Sequence, residues 1–565
     1  MSEDGNVERS TGGGLDSLLT ESSQGPWQRW TPGWAGVKGA AKLISKPRRL
    51  AARTGNLAKD LGKVAVGRSE IAPDKRDRRF KDPAWEGNPV FKRIGQTYLT
   101  YAKLGDRLIS DAELGASDER RVRFAADNVI EALAPTNFPA TNPAVLKKTF
   151  DTGGRNLRDG LVKFAGDMTS KPRIPQMVDT SAFEVGENIA LTEGAVVHRD
   201  ERYELIQYGP QTEKVYRRPI VIVPPQINKY YIIDLAPQRS LVEYLVQNGH
   251  QVFVISWKNP GAEQADWRLS DYVGSVEEGI DIALAITRAD KAIGFGICAG
   301  GITLSVAAAH LAATKKDKLA GLTLGVTILD NEHAGTLSAF ADRRIAKLAI
   351  ADSAKRGYLD GRSLAGTFAW LRPSDLVWNY WVNNYLLGKQ PPAFDILYWN
   401  SDSTNMPAGL HRDFIDISIE NALVTPGALE VLDTPVDLSQ VDVDSYVVAG
   451  IADHIVPWQN AYGTTRMLGS SPRFVLSTSG HIAALVNPTD NEKASFQTTN
   501  NGAGNPETAE EFLEKASKHQ GSWWADWLEW LSERSGEQRN KPRKLGNATH
   551  EVLGEAPGTY VLEEA

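Results

Sequence analysis

Apolar and polar positions along the chain follow three regimes. In the first, apolar residues recur at helical spacing over 94–114 and 119–133, with turns marked by Asn88-Pro89 and Thr136-Asn137. Residues 80 to about 180 are therefore expected to be mainly helical. From about residue 187 short apolar runs alternate with amphipathic stretches. Strands are predicted at 195–197, 203–208, 219–223, 251–257, 292–297 and 321–329. Helices are predicted at 239–248, at 275–288 behind the capping-box pattern Ser275-Val276-Glu277-Glu278, and at 302–313 in an Ala-rich run. Apolar strands alternating with helices imply a parallel sheet covered on both faces. The alternation stops at about 333–440, where helical pieces carry Trp370, Trp378, Tyr380, Trp381, Tyr385 and Trp399. That segment is expected to be an insertion over the strand ends, a cap whose aromatics mostly pack and in part line an apolar tunnel. The sheet resumes at 445–449 and 474–477, and Trp523, Trp524, Trp527, Leu528 and Leu531 mark an amphipathic last helix.

Ahead of these lies a different composition. Residues 1 to about 35 are Gly/Ser-rich, with Trp27, Trp30 and Trp34 embedded, and are expected to be disordered in isolation. From Lys38 to Arg68 cations interleave with Leu43, Ile44, Leu50, Leu57, Leu61 and Val64. Two readings stand open: a basic amphipathic helix on an anionic or apolar surface, or a solvated arm. The expected organisation is a flexible basic arm (1–75), a helical N-terminal domain (76–185) and an α/β domain (186–565) with its cap.

With 565 residues, 41% apolar, and 15 Trp, the chain fills a substantial core. Its single Cys excludes an intramolecular disulfide and a Cys-based zinc site, and points to a reducing cytoplasm. A net charge of −7 argues against a general polyanion binder, so no nucleic-acid partner is expected. The acidic start Met1-Ser2-Glu3-Asp4 does not look like a secretory leader. No apolar run reaches the roughly 18 residues of a membrane span.

The chemistry concentrates at Gly294-Phe295-Gly296-Ile297-Cys298-Ala299-Gly300-Gly301. An apolar strand, a Gly-x-Cys-x-Gly turn and a small-residue helix form the pattern of the nucleophile elbow of α/β-hydrolases, where glycines admit a strained turn. The competing reading is a buried structural cysteine. A thiol nucleophile needs a base, and the base an orienting carboxylate. This fold supplies them in the order nucleophile, acid, His, from loops after successive strands. Asp453 follows strand 445–449 and His481 follows strand 474–477. Each alone has a bland alternative, Asp453 as a turn cap and His481 as a core histidine. His454, beside Asp453, competes as the base; His481 is preferred because its turn follows what reads as the final sheet strand. His198, His250, His310 and His333 are less well placed. Oxyanion donors are expected from the Ala299 N–H and from the loop near Gln226 to Asn228, with Ile227 the chosen N–H. Cysteine in place of serine favours acyl transfer, because an acyl-thioester stays activated.

On these and further stretches the chain resembles the class I polyhydroxyalkanoate synthases. The matching segments are Asp77–Trp85, Pro135-Thr136-Asn137-Phe138, Pro224–Ile232, the box around Cys298, Leu376-Val377-Trp378-Asn379-Tyr380, Gly450–His454 and Ser479-Gly480-His481-Ile482-Ala483. The resemblance covers nearly everything after residue 75. It implies polymerisation of (R)-3-hydroxyacyl-CoA, short-chain such as 3-hydroxybutyryl-CoA, with CoA released as product and with no cofactor or metal. Small Ala483 fits a short-chain pocket weakly. It maps Cys298, Asp453 and His481 as nucleophile, acid and base, gives Asp453 a second task in activating the chain-end 3-hydroxyl, leaves His454 as a neighbour, and sets Trp378 near the acyl pocket. It further implies a homodimer, a cap that gates the site, contact with phasin-type proteins, and residence in the cytoplasm at the surface of polyester granules. A cysteine-dependent esterase or depolymerase, or a granule-coat protein with an inactive site, are the alternatives.

Overall fold

The computed structural model describes residues 30–75, 77–169, 171–331, 336–453, 455–499 and 504–565. Its frame is an eleven-stranded mixed sheet. In chain order the strands are β1 Gly194–Arg199, β2 Tyr203–Tyr208, β3 Ile220–Val223, β4 Val252–Trp257, β5 Ala292–Ile297, β6 Leu319–Gly325, β7 Ser445–Gly450, β8 Arg473–Ser477, β9 Ser495–Thr498, β10 Ser517–Gln520 and β11 Gly554–Glu555. Across the sheet the order is β10-β9-β8-β7-β6-β5-β3-β4-β2-β1-β11. The central run from β4 through β3, β5, β6 and β7 to β8 is parallel, and both flanks are antiparallel.

The period of the strands explains their composition. Along β3, Val221 and Val223 enter one apolar cluster while Ile220 and Ile222 enter the cluster on the opposite face. Both faces are covered, so neither can carry polar residues and the strand is apolar throughout. The same holds for β4, where Phe253 and Ile255 face one way and Val252 and Val254 the other. The helix Trp523–Arg534 closes the second face, with Trp523, Trp524 and Trp527 buried under the sheet.

Two elements differ from the sequence-based expectation. The helix assigned to 275–288 spans Leu269–Thr287. Ser275 is not its cap: it is buried inside the helix and accepts a bond from Arg202 Nε at 3.0 Å. The true start is held by Asp271, which accepts the Arg268 N–H at 2.7 Å, and by the distant Asp413, which accepts Leu269 N–H at 2.9 Å. Second, β8 is the last parallel strand but not the last strand, because polar β9 and β10 extend the sheet beyond it. In the basic stretch, where a helix and a solvated arm were both open, the backbone is helical over Gly33–Ile44 and Pro47–Ala65. Cations of this stretch meet acids of the next two helices and of the turn between them: Lys38 with Asp118 at 2.9 Å, Lys46 with Glu113 at 2.8 Å, and Arg53 with Asp111 at 2.7 Å. Residues 1–29 lie outside the described residues, with Trp27 among them.

The helices Pro89–Asp111, Ala116–Ala132, Pro143–Thr152 and Arg155–Thr169 carry the expected helical region. Between β6 and β7 the insertion forms helices including Gly361–Leu371, Asp395–Ser401 and Ala408–Glu420. It is stitched to the helical region by an aromatic ladder. Trp381 stands edge-on to Phe164 at 5.9 Å, and Trp378 to both Trp370 and Trp381 at 6.1 and 5.9 Å. Among the described residues no helix is long and apolar enough to cross a membrane.

Candidate active site

The parallel strands bring their carboxyl ends to one edge, where such sheets place reactive groups. β5 ends there on Cys298, whose backbone turns sharply at φ 51° and ψ −120° before the helix Ala299–Ala313 begins. A non-glycine residue in that region costs about 1–3 kcal/mol, so neighbours must hold it. They do: Cys298 N–H donates to Gly325 C=O at 2.9 Å, and Cys298 C=O accepts from Gly301 and Ile302 N–H at 3.0 and 3.3 Å. The glycines are required by space. A Cβ on Gly296 would sit 2.5 Å from Gly301 Cα, and one on Gly300 would sit 2.2 Å from the Val223 carbonyl oxygen. The helix start is thus pressed directly against the loop that follows β3.

Asp453 and His481 come from the loops after β7 and β8. Those loops are bound together, Ile451 N–H to Ser477 C=O at 2.8 Å and Ala452 N–H to Ser479 C=O at 3.2 Å. Asp453 Oδ1 accepts two backbone N–H groups, Ile455 at 2.8 Å and Val456 at 2.9 Å, and Oδ2 faces His481 Nδ1 at 2.6 Å. The Asp453 side chain is fully enclosed. His481 opens the short helix His481–Leu485, is buried, and is electrostatically coupled to Cys298. Burial disfavours its imidazolium. The Asp453 charge, then the Cys298 sulfur, outweigh that, and its pKa is raised to about 10. The arrangement orients a buried imidazole through a carboxylate at Nδ1 and couples it electrostatically to the Cys298 sulfur.

The remaining sequence-predicted site residues fall as follows. Ala299 is the first residue of the elbow helix and is buried. Ile227 lies in the loop after β3, its C=O accepting Thr404 N–H from the insertion at 3.1 Å. Trp378 belongs to the aromatic ladder described above. His454 and His333 lie outside the described residues. His310 pairs with Glu277 on the far side of the elbow helix, and His250 stacks on Tyr216 at 4.7 Å. One ligating atom each of His198, Asp200 and Glu278 lie within 4.8 Å of one another. Asp200 there accepts Arg202 and Tyr203 N–H at 2.8 and 2.9 Å and sits 3.5 Å from the Arg202 guanidinium, which identifies a hairpin turn. Sequence reasoning passed over Lys229, a buried cation behind Ile227. The signal was available, since it is the one charge in the apolar and aromatic stretch from Ile227 to Ile233.

Residues 76–245 match the family described as poly-beta-hydroxybutyrate polymerase (PhaC) N-terminus, and residues 219–488 match the alpha/beta hydrolase fold. The chain is 44% identical over 522 residues to poly(3-hydroxyalkanoate) polymerase 1 of Ectopseudomonas oleovorans, covering 92% of this chain and 93% of that protein. It is 40% identical over 564 residues to the poly(3-hydroxyalkanoate) polymerase subunit PhaC of Cupriavidus necator, covering 95% of each. Among solved structures, the monoacylglycerol lipase of Paleococcus ferrophilus is 15% identical, at a TM-score of 0.32, over 59% of this chain and 100% of that one.

Proposed function

Because the chain belongs to the poly(3-hydroxyalkanoate) polymerases, which are acyltransferases, we propose that it builds polyester from (R)-3-hydroxyacyl-CoA through a thioester on Cys298. The observation that carries this reading is the placement of Cys298, Asp453 and His481 just past the tips of the parallel strands β5, β7 and β8, with Asp453 bound to His481. His481 takes the thiol proton, and the thiolate attacks the acyl-CoA carbonyl. The Ala299 N–H and the Ile227 N–H steady the tetrahedral oxyanion; such donors lower a barrier by about 3–4 kcal/mol each. The intermediate collapses, the carbon–sulfur bond to CoA breaks, and the imidazolium returns the proton so that CoA leaves as a thiol. A chain-end hydroxyl then gives its proton to His481 and attacks the Cys298 thioester, lengthening the ester by one unit. Asp453 receives the orienting role. Its side chain is enclosed and both its oxygens are engaged, which leaves His481 the better placed group for the hydroxyl. The enzyme works at the surface of a growing granule in the cytoplasm as a homodimer. Exposed apolar side chains of the helical region, Phe150, Leu161 and Val162 among them, support that location.

Product analysis tests the reaction. Purified protein supplied with C4 or C8 3-hydroxyacyl-CoA is expected to release CoA and yield recoverable polymer, and the ratio of the two turnovers measures the acyl pocket. Release of only free acid and CoA would establish a hydrolase instead.

A further inference from the structure

The loop after β3 carries the Ile227 N–H, and Lys229, together with Tyr231 two residues on, joins that loop to distant segments. Lys229 is 3% exposed. Its ammonium donates to the Glu563 carbonyl, and its own C=O accepts Trp399 Nε1–H of the insertion at 2.7 Å. Two residues on, Tyr231 O–H donates to Asp402 at 2.8 Å, again in the insertion. Glu563 is itself anchored, its carboxylate accepting from Lys258 Nζ at 2.8 Å and Asn259 N–H at 3.0 Å in the loop after β4. Asn259 completes the ring, donating to Glu564 C=O at 2.6 Å and accepting Asn405 N–H at 2.9 Å. The β3 loop, the β4 loop, the turn 399–405 and residues 563–564 therefore converge around one lysine. Burying that cation carries a desolvation cost that an apolar side chain of the same length avoids.

We propose that Lys229 is a positioning residue: its ammonium locks the β3 loop, and with it the Ile227 N–H, against the Cys298 elbow by clamping the loop to residue 563. This rests on the thioester reading given above. The elbow side of the loop has no slack, because Gly300 touches Val223 and Pro224, and Gln226 Nε2 donates to Thr303 Oγ1 at 3.1 Å on the elbow helix. The opposite side is held by bonds from the insertion to the backbone, Thr404 N–H to Ile227 C=O and Trp399 Nε1–H to Lys229 C=O, and by the Lys229 ammonium on Glu563. Release there lets the donor drift, and a displacement of about 1 Å at a reacting centre costs ~10²-fold.

The test uses the full chain, K229M, K229R and a chain stopped after Leu562, which removes the Glu563 acceptor but keeps the lysine. Rapid quench with excess 3-hydroxybutyryl-CoA reads first-turnover CoA release and acylation of Cys298; thermal unfolding is read in parallel. K229M is expected to acylate ~10–100-fold more slowly with KM changed less than ~3-fold. K229R should recover much of the rate, and the shortened chain should show the K229M defect. Wild-type acylation rates in K229M and in the shortened chain, or a loss that merely follows the folded fraction, would overturn the proposal. A wild-type chain that never acylates Cys298 would overturn the thioester reading, and this proposal with it.

Discussion

The elbow helix Ala299–Ala313 and the helix Pro47–Ala65 share a backbone conformation and little else. The first is buried from Ala299 to Leu311, lies between the sheet and the rest of the α/β domain, and is built of small residues with no polar face. The second buries only Val64 and is held to its neighbours by partly exposed ion pairs such as Arg53 with Asp111. Close packing with backbone atoms on every side tolerates no added carbon. Exposed ion pairs contribute little in water and are screened by salt. The reactive cysteine stands on the helix whose position is over-determined, which is what a strained turn needs in order to persist.

Four measurements sharpen or break this contrast. Cys298→Ala removes the nucleophile without enlarging any side chain. CoA release and polymer formation should fall by at least ~10³-fold, equivalent to about 4 kcal/mol on the barrier, with the unfolding temperature retained. Persistent turnover would end the case for that thiol. Next, one substitution is placed in both helices. Gly300→Ala puts a Cβ 2.2 Å from the Val223 oxygen and should cost ~3 kcal/mol or more, whereas Gly62→Ala meets nothing within 4 Å and should stabilise by about 0.5–1 kcal/mol. Equal outcomes in thermal or urea unfolding would show that the two helices are not held differently.

The third measurement is titration of the sheet side. Burial depresses the His250 pKa from 6.5 to about 4. As pH falls the unfolded chain takes up this proton before the folded one does. Stability is therefore whole above about pH 6.5 and declines toward pH 4, by up to about 3 kcal/mol. His250→Phe should flatten that part of the stability–pH curve, and an unchanged slope would remove His250 from the account. The smallest effect is expected for Arg53→Met, a minor drop in unfolding temperature that disappears at high ionic strength. A large, salt-insensitive loss would mean that the N-terminal helices are held as tightly as the elbow.

The elbow was legible because its causes are local: a glycine where no Cβ fits, a strand in front and small residues behind. The central strands were legible because burial on both faces makes them apolar throughout. β9 and β10 were not, since Ser495-Phe496-Gln497-Thr498 and Ser517-Lys518-His519-Gln520 are mostly polar and owe their strand state to β8 supplying the first backbone ladder. The start of Leu269–Thr287 was misplaced for a related reason. Ser275 and Glu278 satisfied a local capping rule, while the start is held by Asp271 and by Asp413, which lies on a helix of the insertion far along the chain. The basic stretch showed its amphipathic spacing but not its partners, because a cation's choice between solvent and Glu113 is made only when another helix arrives.

Local sterics and hydrophobic period thus determined, from sequence alone, the α/β architecture, the turn at Cys298 and the strand tips from which Asp453 and His481 project. Tertiary structure alone decided where polar edge strands pair, where a helix begins when part of its cap comes from elsewhere, and that Lys229 meets Glu563 and Trp399 in one buried junction. The Lys229 contacts join residues more than a hundred positions apart, and no periodicity or short motif encodes a distance that only the folded chain closes.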